Sequence, residues 1–452
     1  VVAAATAAVA AGAAVAAEVA AVAADPLAVP SPPGGDGIER TDLPSGVRVV
    51  TERMPEARSV SVGLWFAVGS RDESAEIAGA SHFIEHLLFK GTETRSARGI
   101  AMAVDALGGE LNAYTTREVT AYHTRLPVPD LRFGLDLLAD VVSEPAFRPH
   151  EIDAERDVIV EEILESEDTP DDQVFTALYE GLFPGHPLGR ETLGTRDSVE
   201  AMGRDDIVGF HDTWYRPANL VVAAAGDLHH DEVLDAVGDL LADGPTGVAP
   251  TRTAPPAELV SLQVLHRPTE QAHVAMGWRG LPVGDPDRYA LALANHVLGG
   301  GLSSRLFQEV REERGLAYTV FSAPSSYADA GSLIVYAGTA PERLEELLHV
   351  TESVLGDLAA GGITAEEHAV ALGYIQGSML LGLEDSGSRM SRLGNGVVAR
   401  NEVLPIEEHV RRYRAVTLDD LHRVLARVLD GPRTVAVVGP FTVDDPRLTG
   451  FA

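Results

Sequence analysis

The second half of this 452-residue chain repeats the first. DDIVGFHDTWYRPANLVVAAAGD and DDLHRVLARVLDGPRTVAVVGPF keep helix, turn, buried strand and glycine in step, with Asp205 standing against Asp419, an offset of 214 residues. A similar offset sets FRPHEIDAERDVIVEEILE beside GITAEEHAVALGYIQGSML, and RSVSVGLWF beside QAHVAMGWR. Identities are few, so the periodicity carries the repeat rather than the letters. A period of half the chain means two homologous lobes, each closing its own core.

That division agrees with the length, which exceeds what one core serves. The expected architecture is α+β: two homologous α/β-roll lobes, each a mainly antiparallel sheet packed with helices. The Pro- and Gly-rich GPTGVAPTRTAPPAE, residues 244–258, reads as the linker between lobes at 39–243 and 259–452. Residues 1–38 read as an Ala-rich low-complexity tail followed by a Pro/Gly linker. That segment has no basic residue before Arg40, so it lacks the n-region of a secretory signal, and Glu18 interrupts it as a membrane span. The expected location is therefore cytoplasmic. In the first lobe, 47–52 and 60–68 read as strands, 97–107 as a helix stopped by Gly108-Gly109, and 110–126 as a strand pair. Helices are expected at 131–142, 149–167 and 205–214, and a buried strand at 219–226.

Charge and cysteine content narrow the chemistry. A net charge of −33 disfavours nucleic acid as a partner and favours basic or neutral peptides. With no cysteine, disulfides and thiolate zinc sites are excluded, and any zinc must use His and carboxylate. Lys90 is the only lysine among 35 Lys and Arg residues, a bias that reads as genome composition.

SHFIEHLLFKGT, residues 81–92, is where chemistry concentrates. His82 and His86 stand four apart and so project from one helical face, with Glu85 between them. Two histidines and a carboxylate so placed are how a helix grips Zn²⁺ and supplies a general base, here in the order H-x-x-E-H. A catalytic zinc takes a third protein ligand, and the acidic ERDVIVEEILE is the prime source. Glu155 and Glu162 are two turns apart and share a face, whereas Glu161 points roughly 100° away. Spacing alone does not bring this helix to His82.

The H-x-x-E-H run, with Glu162 in ERDVIVEEI 76 residues after His86, resembles the insulinase and mitochondrial-processing-peptidase family of zinc metallopeptidases. The resemblance spans about residues 39–442 and includes GGELNAYTTREVTAYH, HPLGRETLGT, WYRPANLVVAAAGD and LGGGLSSRLFQEVREERGLAY. It implies one zinc per chain held by His82, His86 and Glu162, with Glu85 as general base and Glu155 as a supporting acidic residue. It implies a substrate-binding edge strand at Asn112, Ala113 and Tyr114. Arg311 and Tyr318 match a second-lobe pair that touches the substrate carbonyl. The implied function is endopeptidase cleavage of extended or presequence-like peptides by a homodimer. A heterodimer, or a non-catalytic or partner-dependent subunit, is the alternative. The second lobe has no H-x-x-E-H, and Gly377 stands near where the first has Glu162.

Other signals have plainer readings. LGGGLSSRL lacks the Gly-Lys step of a phosphate loop and reads as a turn. His229-His230 opens a helix after a strand, and Trp65, Trp214 and Trp278 read as core.

Overall fold

The computed structural model describes residues 37–241 and 247–451. The tail expected at 1–38 therefore lies almost entirely outside the described residues, as does the start of the 244–258 linker. Contacts divide the chain into two compact units: the described part of Pro33–Val260 together with Gly382–Leu404, and Ser261–Leu381 together with the described residues from Pro405 onward.

The first unit is built on a six-stranded sheet. Its strands are β1 (Ile38–Asp42), β2 (Arg48–Arg53), β3 (Ser59–Phe66), β4 (Glu110–Thr115), β5 (Thr120–Pro127) and β6 (Leu220–Gly226), in the order β1-β2-β6-β3-β5-β4. β2 and β6 run parallel, and the remaining pairs are antiparallel. The second unit holds β7 (Leu262–His266), β8 (Ala272–Arg279), β9 (Ala317–Ser326), β10 (Gly331–Thr339) and β11 (Arg433–Gly439), in the order β7-β11-β8-β10-β9. Here too one parallel pair, β7 with β11, is followed by antiparallel neighbours. Lining β2-β6-β3-β5-β4 against β7-β11-β8-β10-β9 reproduces the repeat read from sequence, strand for strand. The α+β class and the two-lobed plan stand.

Alternation explains how the first sheet is covered on both faces. Val60, Val62, Leu64 and Phe66 of β3, with Leu220, Val222 and Ala224 of β6, pack into one core with helices Ala80–Leu88, Leu131–Ser143 and His230–Leu240. The intervening Trp65, Val221, Ala223 and Ala225 form a second core with Met390, Leu393 and Val397. Those last three belong to helix Ser386–Arg400. The small alanines of β6 leave room for that helix. A Cβ placed on Gly394 would fall 2.5 Å from the buried Trp65 ring, so the contact needs glycine.

This helix corrects the domain boundaries read from the chain, which put 382–404 in the second lobe. It packs with the first unit because its apolar stripe faces the Trp65 side of that sheet and its polar residues are matched there. Glu52, with its side chain 4% exposed, is paired with Arg389 and, at 2.6 Å, with Arg392. Arg40 reaches Asn401 Oδ1 at 2.6 Å, and Ser386 Oγ lies 2.9 Å from Ser61 Oγ. Breaking a buried charge pair by removing one member costs about 3–5 kcal/mol, so Glu52 fixes the helix in place. Among the described residues no helix is long and apolar enough to cross a membrane.

Candidate metal centre

Helix Ala80–Leu88 buries Phe83, Ile84, Leu87 and Leu88, which leaves His82, Glu85 and His86 on the opposite, partly open face. Its start is set by two residues outside the motif. Gly79 adopts φ +96°, and a Cβ there would lie 2.6 Å from Leu193 O, so the turn into the helix requires glycine. Glu73, 5% exposed, then accepts hydrogen bonds from Gly79 N and Ser81 N, each at 2.7 Å. It satisfies two donors that a helix N-terminus leaves unpaired.

Burial outweighs these bonds and pushes the Glu73 carboxyl up from 4.5 to about 7. The folded protein therefore holds this proton more tightly than the unfolded chain. The resulting stabilisation is fully present below about pH 4.5 and is lost as pH rises through 7. A displacement of that size is worth on the order of 3 kcal/mol. Glu73→Gln imitates the protonated form, so denaturant unfolding of the variant is expected to lack this part of the decline between pH 4.5 and 7.5. Parallel pH profiles for the two proteins would show that Glu73 does not titrate in that window.

The acidic helix Pro149–Asp168 completes the site. Its Ile152, Ile159 and Ile163 anchor it in the core, and Glu155 and Glu162 on the same side face the histidines while Glu161 is exposed. Glu162 Oε2 lies 3.6 Å from His82 Nε2 and 3.7 Å from His86 Nε2. One donor atom from each of the three residues falls within 4.8 Å of the others. The two distances are too long for hydrogen bonds. They suit a shared ion, because bonds of about 2.0–2.2 Å to a tetrahedral zinc give ligand–ligand edges of roughly 3.3–3.6 Å. Burial, and then the neighbouring His86, lower the His82 pKa to about 4, which leaves its ring neutral and able to ligate.

Glu155 lies behind the histidines. Its Oε2 accepts from His86 Nδ1 at 3.2 Å, and its Oε1 pairs with Lys90 Nζ at 2.5 Å. It thus orients His86 and leaves Nε2 towards Glu162. Glu85 accepts a 2.5 Å hydrogen bond on Oε2 from Thr115 Oγ1. Burial raises the Glu85 pKa and the Thr115 bond opposes the rise. Beneath this pair the buried Tyr122 and Tyr215 hydroxyls meet at 2.8 Å, their pKa values raised by burial.

Asn112, Ala113 and Tyr114 lie on β4, the edge strand beside β5, next to Thr115. Tyr114 is turned to the Trp65 side, where its hydroxyl accepts from Trp65 Nε1 at 2.9 Å and donates to Asn395 Oδ1 at 3.2 Å. Arg311 and Tyr318 belong to the second unit, where the guanidinium sits 4.5 Å above the Tyr318 ring and Nη1 donates to Tyr318 O at 3.1 Å. Tyr318 is 80% exposed. Reading the chain missed Thr115, Glu73 and the pairing of Lys90. Strand alternation gave a signal only for Thr115, two residues along from Ala113 on the same face. His230 has an ordinary structural role, between Thr41 and Thr51 hydroxyls at 2.9 Å each.

Comparison with known proteins agrees with this geometry. Residues 48–196 match the insulinase family (peptidase family M16), and residues 201–372 match the peptidase M16 inactive domain. An uncharacterized zinc protease of Mycobacterium tuberculosis is 45% identical over 421 residues, covering 92% of this chain and 95% of that protein. The chain belongs to the M16 insulinase family. A Bacillus subtilis relative, also called an uncharacterized zinc protease, is 36% identical over 406 residues, covering 89% of this chain and 98% of its own. Among solved structures, a protease from Helicobacter pylori superposes with a TM-score of 0.84 at 24% identity, over 89% of this chain and 99% of that one. A peptidase M16 inactive domain from Pseudomonas fluorescens superposes at 0.82 and 23%, over 90% and 98%. The part matched as insulinase carries the H-x-x-E-H helix and the acidic helix, and the part matched as inactive carries neither.

Proposed function

We propose that this M16 chain is a zinc-dependent endopeptidase that hydrolyses extended peptides, with His82, His86 and Glu162 as ligands and Glu85 as general base. The convergence of one atom from each of those three residues within 4.8 Å, on the helix face that also bears Glu85, carries the reading. Zinc bound there supplies Lewis acidity, which acidifies water and polarises a peptide carbonyl. Glu85 takes the proton from the attacking water and returns it to the leaving amine. Thr115 holds the Glu85 carboxylate by one oxygen and leaves the other free for that transfer.

The open side of β4 suits a substrate that adds as a further strand, held through main-chain bonds at Asn112–Tyr114. Such binding demands an extended segment and selects weakly among side chains. The acidity of the chain favours basic segments, presequence-like ones included. Arg311 and Tyr318 keep the carbonyl-contact role that the family resemblance implies, and assembly as a homodimer belongs to the same reading.

The test is hydrolysis of a quenched, Arg-containing peptide by the purified protein. Activity should disappear with a chelator and return with added zinc. A zinc-loaded protein inert on a broad peptide set would move the chain to the partner-dependent or non-catalytic reading.

A further inference from the structure

We propose that Lys90 is a positioning residue for the metal centre: it approaches Glu155 most closely at Oε1, neutralises it from that side and so leaves Oε2 to His86. Lys90 Nζ lies 2.5 Å from Glu155 Oε1, and Glu155 Oε2 lies 3.2 Å from His86 Nδ1. The Glu155 side chain is 7% exposed and that of Lys90 is 38% exposed. Lys90 is also the single lysine among 35 Lys and Arg residues. Wherever else this chain needs a cation, arginine serves. Genome composition accounts for the scarcity of lysine, and the local contacts account for where the one lysine stands.

The role of lysine at this position follows from the shapes of the two cations. A guanidinium presents parallel N–H groups that match both oxygens of a carboxylate, and it prefers that two-pronged grip. At position 90 such a fork would draw Glu155 Oε2 away from His86 Nδ1. An ammonium is a compact point donor, so it neutralises Glu155 through Oε1 and leaves Oε2 to accept from the imidazole. His86 then stays in the tautomer and orientation that turn Nε2 towards Glu162. Disturbing outer partners of this kind typically costs 10- to 100-fold in metal affinity.

The inference rests on the zinc-site reading, and the test separates the two. Zinc affinity of the full chain is measured by competition with a chromophoric chelator, independently of any peptidase activity. Lys90→Arg and Lys90→Met should each bind zinc about tenfold or more weakly than wild type. Adding Lys90→Met to Glu155→Gln should cost nothing further, because Lys90 acts through Glu155. A lysine that only braces the fold would cost the same in either background.

Should the variants fail to fold, the folded wild type decides, since its only side-chain amine is Lys90. Acetylation, which removes the charge, should weaken zinc binding. Reductive dimethylation, which keeps the charge and one N–H, should not. Wild type with its α-amine alone modified controls for the chain terminus. Wild-type affinity in Lys90→Arg, full additivity with Glu155→Gln, or unchanged affinity after acetylation overturns the proposal. A wild type that takes up no zinc overturns the metal site itself.

Discussion

Glu85→Gln is expected to lower kcat for peptide hydrolysis by about 100- to 10,000-fold while zinc content stays at the wild-type level, the range a positioned general base contributes. The substitution is nearly isosteric, and a Gln oxygen still accepts from Thr115 Oγ1, the bond that fixes the side chain at 2.5 Å. Only the basicity is lost. Glu85 sits three residues after His82 and is not among the three converging donors, so the metal site should survive. The measurement is kcat and KM on one quenched peptide, with zinc determined on the same sample. A kcat within a fewfold of wild type would place the base elsewhere. A parallel loss of zinc would give Glu85 a structural task instead.

Glu162→Gln should have the complementary outcome: zinc affinity falls by more than about 100-fold, beyond the usual effect of disturbing an outer-shell partner, and activity falls with it. A neutral amide is a poor substitute for a carboxylate that closes a site between two imidazoles. Glu162 has a side chain 38% exposed and stands 3.6 and 3.7 Å from the two Nε2 atoms, so the exchange removes a ligand without opening a core. Unfolding midpoints of the metal-free proteins should agree closely. Retention of zinc and activity together would mean that another group closes the site. Glu155→Gln differs in kind, since it disturbs His86 through Nδ1 and leaves all three donors present.

Much of this site was legible because it obeys short-range periodicity. His82, Glu85 and His86 share a face as soon as 80–88 is helical, and Glu155 and Glu162 share one in 149–168. Alternation in 110–126 revealed both β4 and β5, and Gly108 ended the preceding helix with φ +66°. Illegible were contacts made by single atoms across long separations. Alternation puts Thr115 on the face of Ala113 but does not say that its hydroxyl meets Glu85, and nothing before the structure ties Glu73 to the helix start at Gly79.

The sequence by itself determined the two-lobed repeat, the faces of the helices, and the exclusion of thiolate ligands. Each depends on residues within a few turns or on a count, where local geometry leaves one outcome. Tertiary structure supplied the approach of the Glu162 helix to His82, which only the family resemblance had implied, and it alone decided that Lys90 meets Glu155 and that Ser386–Arg400 leaves its own half of the chain to cover Trp65. A buried face is specified by its apolar pattern, but its partner is chosen by fit. Volume, charge pairing and the room left by small residues such as Ala223 and Gly394 settle that choice only when both surfaces are present.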